Sequence, residues 1–225
     1  MLKPSRKILR KEIKTDPILE TFEKIENRFA KNRKTLLNVL FFFVALIVFG
    51  SIYINNQNKI ELDSNSAFVA ALAAYSNLDY ENAKFQFESI SSNYEGSESQ
   101  IISNYYLGKI SYEQGKLDEA KLFLNDFLDN TKKATLVCGA IKQLVDISFN
   151  EHDFLKSFDI IAKAKKFDIN NISKLELKIL EIKTFIKIND LQSAKIEIGK
   201  VLNKKNLPAH IKQEINELEG LLEVE

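Results

Sequence analysis

The sequence predicts an all-α protein: a single N-terminal transmembrane helix, then an α-solenoid of about four helical hairpins closed by a capping helix. Three observations predict it. An uncharged apolar run covers Leu36 to Ile54, four small residues recur at one fixed interval across the rest of the chain, and turn formers are scarce, with Gly 7 and Pro 3 in 225 residues. A β-sandwich needs a turn signal every 8–12 residues or so, which this composition does not supply.

The charges are segregated. Residues 1–34 carry 11 Lys+Arg against 5 Asp+Glu, residues 35–58 carry none, and residues 59–225 carry 21 against 26. The net charge of +1 therefore joins a basic segment of +6 to an acidic part of −5. A nucleic-acid-binding domain would be basic, and the larger part is not, so no nucleic-acid partner is expected. One cysteine and two histidines cannot supply a disulfide framework or a His/Cys zinc cage.

The first segment, residues 1–34, is expected to be cytoplasmic. Within it, Asp16-Pro17 suits an N-cap and first helical position, and Ile18, Phe22, Ile25 and Phe29 follow at helical spacing. That helix would lie on an anionic leaflet, serve as a cytoplasmic docking handle, or merely extend the membrane helix without a partner.

Residues 35–58 form the expected signal-anchor. The 19 residues from Leu36 to Ile54 would span about 28 Å as a helix, close to the ~30 Å hydrocarbon core. Arg28, Lys31, Arg33 and Lys34 flank it on one side, and Lys59, Glu61 and Asp63 on the other. The positive-inside rule then leaves the N-terminus in the cytoplasm and residues 59–225 across the membrane. A cleaved signal peptide would have a shorter apolar region and a small-x-small cleavage site, and SIYINNQNKI offers none. Residues 59–65 read as a linker.

From residue 66 to 207 the chain repeats. The segments LDYENAKFQFESI (78–90), GKLDEAKLFLNDF (115–127), HDFLKSFDIIAKA (152–164) and NDLQSAKIEIGKV (189–201) superimpose. Their small residues Ala83, Ala120, Ser157 and Ala194 are 37 apart each time. Large apolar residues come four and seven positions later, as in Phe87/Ile90, Leu124/Phe127 and Ile198/Val201; the third copy has Ile161/Ala164. A small side chain lets the second helix of a hairpin approach the first, and the later residues fill the groove to the next hairpin. One hairpin cannot bury its apolar faces alone, so at least three must stack. After Pro208, residues 208–225 form the expected cap, with Ile211, Ile215, Leu218 and Leu221–Leu222 on its apolar side.

These segments resemble the tetratricopeptide repeat. The second copy is nearest, with Leu107-Gly108 on its first helix, Gly115 at the turn, then Leu117, Ala120 and Phe127 in the usual order. The others depart: Ala70-Ala71, Leu144-Val145 and Glu181-Ile182 stand where Leu-Gly is usual, and the interval exceeds the usual 34. The resemblance implies ligand-facing positions on each first helix. These are Phe68, Leu72 and Tyr75; Tyr105, Lys109 and Tyr112; Lys142, Asp146 and Phe149; and Ile179, Lys183 and Ile186. Such residues either line a groove for an extended or helical protein segment, with Tyr105 and Tyr112 as its main anchors, or pack between hairpins. The Lys/Asn/Arg clamp by which some of these proteins hold a carboxyl terminus is absent.

The order of basic segment, membrane span and acidic helical repeats also resembles the YfgM-like family of single-span bacterial inner-membrane proteins. That resemblance implies a periplasmic scaffold ancillary to the Sec translocon, with translocon subunits, a periplasmic chaperone or an envelope protein as partners. A scaffold for one dedicated envelope or cell-division partner is the alternative. No glycine-rich phosphate loop, GxSxG or HExxH occurs, so neither enzymatic activity nor a cofactor is expected. Cys138 reads as a buried thiol, and His152 and His210 fall too far apart in the hairpin order to share a site.

Overall fold

The computed structural model describes residues 33–223, and among them every regular element is a helix. The basic segment's expected helix from Asp16-Pro17 lies outside the described residues. The chain divides into two units between Gln57 and Asn58.

In the first unit lies the start of α1, Arg33–Ser76. Its apolar stretch has a mean hydropathy of 2.5 and none of its residues is buried. Phe41, Ile47 and Phe49 are 78%, 69% and 72% exposed, on different sides of the helix. A helix apolar all round without protein to cover it belongs in lipid or in a core. It is long and apolar enough to cross a membrane.

The second unit contains the rest of α1, then α2 (Tyr80–Asn93), α3 (Glu98–Glu113) and α4 (Leu117–Asn130). A 3₁₀ turn at Ala134–Leu136 leads to α5 (Val137–Asn150) and α6 (Lys156–Ala162), which tightens into a 3₁₀ turn at Lys163–Lys166. The last three helices are α7 (Asn171–Lys187), α8 (Leu191–Leu202) and α9 (Ala209–Glu223). The linker expected at 59–65 is helical instead, because no glycine or proline stands between Gly50 and Gly96 to stop α1.

From α2 onward each helix packs on the next, and α3 also touches α5, α5 touches α7, and α7 touches α9. At the start, Ala71 and Ala74 of α1 share one apolar cluster with Ala83, Phe87 and Ile90 of α2 and Leu107 and Ile110 of α3. The 37-residue interval governs the turns as well as the helices. Leu78, Gly115, His152 and Asn189 all adopt the left-handed conformation, with φ of 64°, 73°, 60° and 61°. At each, the residue's N–H donates to the carbonyl three before it, at Tyr75, Tyr112, Phe149 and Ile186. The next N–H reaches back five residues, to Ala74, Ser111, Ser148 and Phe185. This is the Schellman closure of a helix C-terminus, repeated four times.

The small residues Ala83, Ala120, Ser157 and Ala194 are all fully buried. Opposite them on the first helices, Ala71, Val145 and Ile182 are fully buried and Gly108 is buried too. In the second hairpin a β-carbon on Gly108 would stand 2.6 Å from Leu124 Cγ, so a side chain at this position would collide with α4. The third hairpin is the irregular one. Its second helix has seven residues, so Ile160 is buried in place of the expected Ile161, which is half-buried. Ser157 there donates to Ser148 Oγ at 3.3 Å, and Ser148 in turn donates to the Asp153 carbonyl, which meets the needs of a hydroxyl at the buried position. On α9, Ile211, Ile215, Leu218 and Leu222 join the last cluster, whereas Leu221 points to solvent at 61% exposure.

Candidate protein-binding face

The mapped positions divide by burial. Phe68, Leu72 and Tyr75 on α1, Lys109 and Tyr112 on α3, Lys142 and Phe149 on α5, and Lys183 and Ile186 on α7 are half-buried, and Asp146 is exposed. Tyr105 is 8% exposed and Ile179 only 2%, so these two side chains belong to the core. Tyr105 as a surface anchor is therefore corrected: its ring packs on Phe127, 5.4 Å between centroids, and its hydroxyl abuts Gly139 on the next hairpin.

The α1 and α3 residues form one aromatic network whose centre the mapping missed. Tyr106 stacks on Phe87 at 5.1 Å with the rings 9° apart, and meets Tyr75 at 5.2 Å, Tyr105 at 5.3 Å and Phe68 at 5.9 Å. Offset and edge-on pairs at these separations are favourable for aromatic rings beyond the area they bury. The signal was in the sequence, since Ile102 and Tyr106 sit four apart on α3, one position round the helix from Tyr105. With Phe68, Phe127 and Leu136 they line a cleft of about 290 Å³. That volume suits one large apolar side chain.

Lys109 stands over this network, its Nζ 5.5 Å from the Tyr75 ring centre and 5.9 Å from that of Tyr105. Burial opposes its charge, yet the Tyr75 hydroxyl and the neighbouring tyrosines outweigh that and hold its pKa above the ordinary value. Lys142 and Lys183 behave differently. Lys142 Nζ lies 3.2 Å from Glu176 Oε1 of α7, and Lys183 Nζ lies 2.6 Å from Glu214 Oε1 of α9. Each therefore bridges its own first helix to the next one. Among the described residues Lys109 has aromatic partners and no carboxylate.

The groups able to do chemistry stand apart from one another. Cys138 is 5% exposed and its Sγ donates to Glu176 Oε2 at 3.2 Å. Burial, then the adjacent carboxylate, push the thiol from its ordinary 9.0 up to about 12. His152 occupies a left-handed turn position and His210 opens α9. Among the described residues no group of three or more His, Cys, Asp or Glu could hold a metal ion. The face offers a wall of half-buried rings, one apolar cleft and one cation without a carboxylate partner. No protein-family model matches the chain, and neither curated proteins nor solved structures give a significant match.

Proposed function

We propose that the chain is a membrane-anchored scaffold whose tetratricopeptide-like hairpins bind protein segments along their first helices. The observation that carries this reading is the set of half-buried Phe68, Leu72, Tyr75 and Tyr112 on the first helices of the first two hairpins, with Lys109 over the Tyr75 ring. Core rings are normally covered fully, and water-facing positions are normally charged, so rings left half-open beside a cation favour a protein ligand. An aromatic or aliphatic anchor fills the cleft beside Tyr106, and an acidic group on the same segment meets Lys109.

The anchor is the apolar run of the helix that starts at Arg33, and the +6 of residues 1–34 keeps the N-terminus in the cytoplasm. On the resemblance to the YfgM-like family, the membrane is a bacterial inner membrane and the hairpins are periplasmic. The role is ancillary to the Sec translocon and its periplasmic chaperones, on the strength of the shared order of basic segment, span and repeats. Cross-linking in membranes followed by affinity purification tests it. Translocon subunits should dominate the adducts. One other envelope protein recovered in equal amount would replace that role with the dedicated-partner scaffold, and protection of the hairpins from protease added to spheroplasts would reverse the topology.

A further inference from the structure

The two ends of the hairpin array differ. At the C-terminal end α9 turns Lys212, Gln213, Asn216, Glu217 and Glu219 to water. That polar outer face is what a terminal helix needs. Among the described residues the N-terminal end has no such cover. Between Asp63 and Asp79 α1 carries no charge, in a chain that is 28% charged. Its Ser64, Ala71 and Ala74 face the core. On the opposite side Leu62 and Val69 are 68% and 66% exposed, with Ser66 exposed between them and Ala73 exposed one turn beyond Val69. Ser66 Oγ donates to the Leu62 carbonyl at 3.1 Å, so even its hydroxyl is satisfied within the helix.

We propose that this strip of α1 is the contact surface of a parallel homodimer. Leu62, Ser66, Val69 and Ala73 are spaced 4, 3 and 4, the a–d pattern by which two parallel helices interdigitate. Small residues in alternate layers let the backbones approach, and each layer meets its own copy across a two-fold axis. The second copy is the occupant because one span per chain inserts every copy in the same direction, which lets identical strips meet in parallel; this rests on the membrane anchor proposed above. The span contributes a separate reason to pair. Asn38 is an amide within its apolar run, and in lipid such a side chain gains from an interhelical hydrogen bond. Four layers are few for a dimer in free solution. Confinement to one bilayer raises the effective concentration enough for them to suffice.

The test is disulfide capture of the full-length chain in isolated membranes, with Ser66→Cys and Ala73→Cys each in turn and Lys212→Cys at the capped end as the reference. Native Cys138 is 5% exposed and stays in place, with the unsubstituted chain setting the background. The Ser66→Cys and Ala73→Cys chains should give a band of twice the chain mass at least ten-fold stronger than Lys212→Cys. Adding Val69→Glu to Ser66→Cys should remove that band at least ten-fold. Equal capture at all three positions, insensitivity to Val69→Glu, or adducts dominated by a protein of another mass would each overturn the dimer. A chain retained in membranes without capture refutes the dimer alone, whereas a chain found in the soluble fraction refutes the anchor and the dimer together.

Discussion

The hydroxyl oxygen of Tyr105 on α3 rests against the backbone of Gly139 on α5, where a β-carbon would stand 2.6 Å from it and 3.4 Å from the ring carbon behind it. Two successive hairpins meet at this point. The contact explains why a glycine stands in the first turn of α5 beside Cys138 and why Tyr105 cannot serve as a surface anchor. Gly139→Ala should therefore destabilise the fragment 58–225 by about 1–3 kcal/mol through overpacking. Tyr105→Phe added to it removes the clashing oxygen and should recover more than half of that loss. Urea denaturation of the four chains of this cycle measures the coupling, and independent, additive effects would contradict the close contact.

The turns give a matched pair of opposite sign. Leu78 is a leucine at φ 64° and 70% exposed, so it bears left-handed strain without a packing return. Leu78→Gly should relieve about 1–2 kcal/mol of that strain against about 0.5–1 kcal/mol of added chain entropy, a net gain of up to ~1.5 kcal/mol. Gly115 holds the same place in the next hairpin at φ 73°, and a β-carbon there would meet open space. Gly115→Ala should thus lose about 1 kcal/mol from the backbone alone. Melting curves that move the same way in both variants would break the equivalence of the two turns.

The interval of 37 was legible because the contacts that set it are local and steric. A buried Ala at 83, 120 and 194 and a left-handed turn at 115 must be small or flexible residues, and the sequence displays them. Two features were not legible. Residues 59–65 look like a linker because Asp63, Ser64 and Asn65 are turn formers, yet these disfavour helix only weakly and nothing there breaks one. Tyr105 and Tyr106 are adjacent and chemically identical, so which ring is buried depends on how α3 is rotated against α5. The mapped register put the wrong ring outward. The side-chain pairs that turn Lys142 and Lys183 into bridges join helices 31 and more residues apart, and no local pattern announces Glu176 or Glu214 as their partners.

Cys138 offers a test by reactivity and by pH. Its thiol is held in the neutral form by burial and by Glu176, with a folded pKa of about 12 against 9.0 for an ordinary thiol. The thiolate is the reactive species, so the native fragment should resist a thiol reagent at pH 8 that modifies the urea-unfolded chain quickly. A raised pKa means that the unfolded chain releases this proton first as pH rises. The stability due to the neutral thiol is complete below pH 9 and is lost as pH climbs toward about 12. Cys138→Ala should flatten that alkaline decline relative to the native thiol. Rapid labelling of the folded fragment at pH 8, with its melting curve unchanged, would show the site to be open.

Separation of binding from folding comes last and turns on which tyrosines are half-open. Tyr75 and Tyr112 stand one residue before the ends of the first helices of the first two hairpins, and both keep part of the ring in solvent. Tyr75→Ala with Tyr112→Ala should cost about 2–4 kcal/mol of partner binding if both are hot spots. Some stability goes too, because Tyr75 packs on Tyr80 at 5.4 Å and on Tyr106 at 5.2 Å, but the helical signal and a cooperative melt should remain. Tyr105→Ala supplies the contrast: an 8% exposed ring should cost about 3–5 kcal/mol of folding stability on truncation. Lys109→Gln adds the electrostatic arm, since it keeps the chain length and removes the cation. It should weaken an acidic segment while leaving a neutral one nearly unchanged, and that difference should shrink as salt is raised. Circular dichroism and binding measured on the same samples decide the matter. Lost binding with intact folding in the Tyr75/Tyr112 pair supports the face, and full binding in that pair with the Lys109 variant also unaffected moves the partner to another surface.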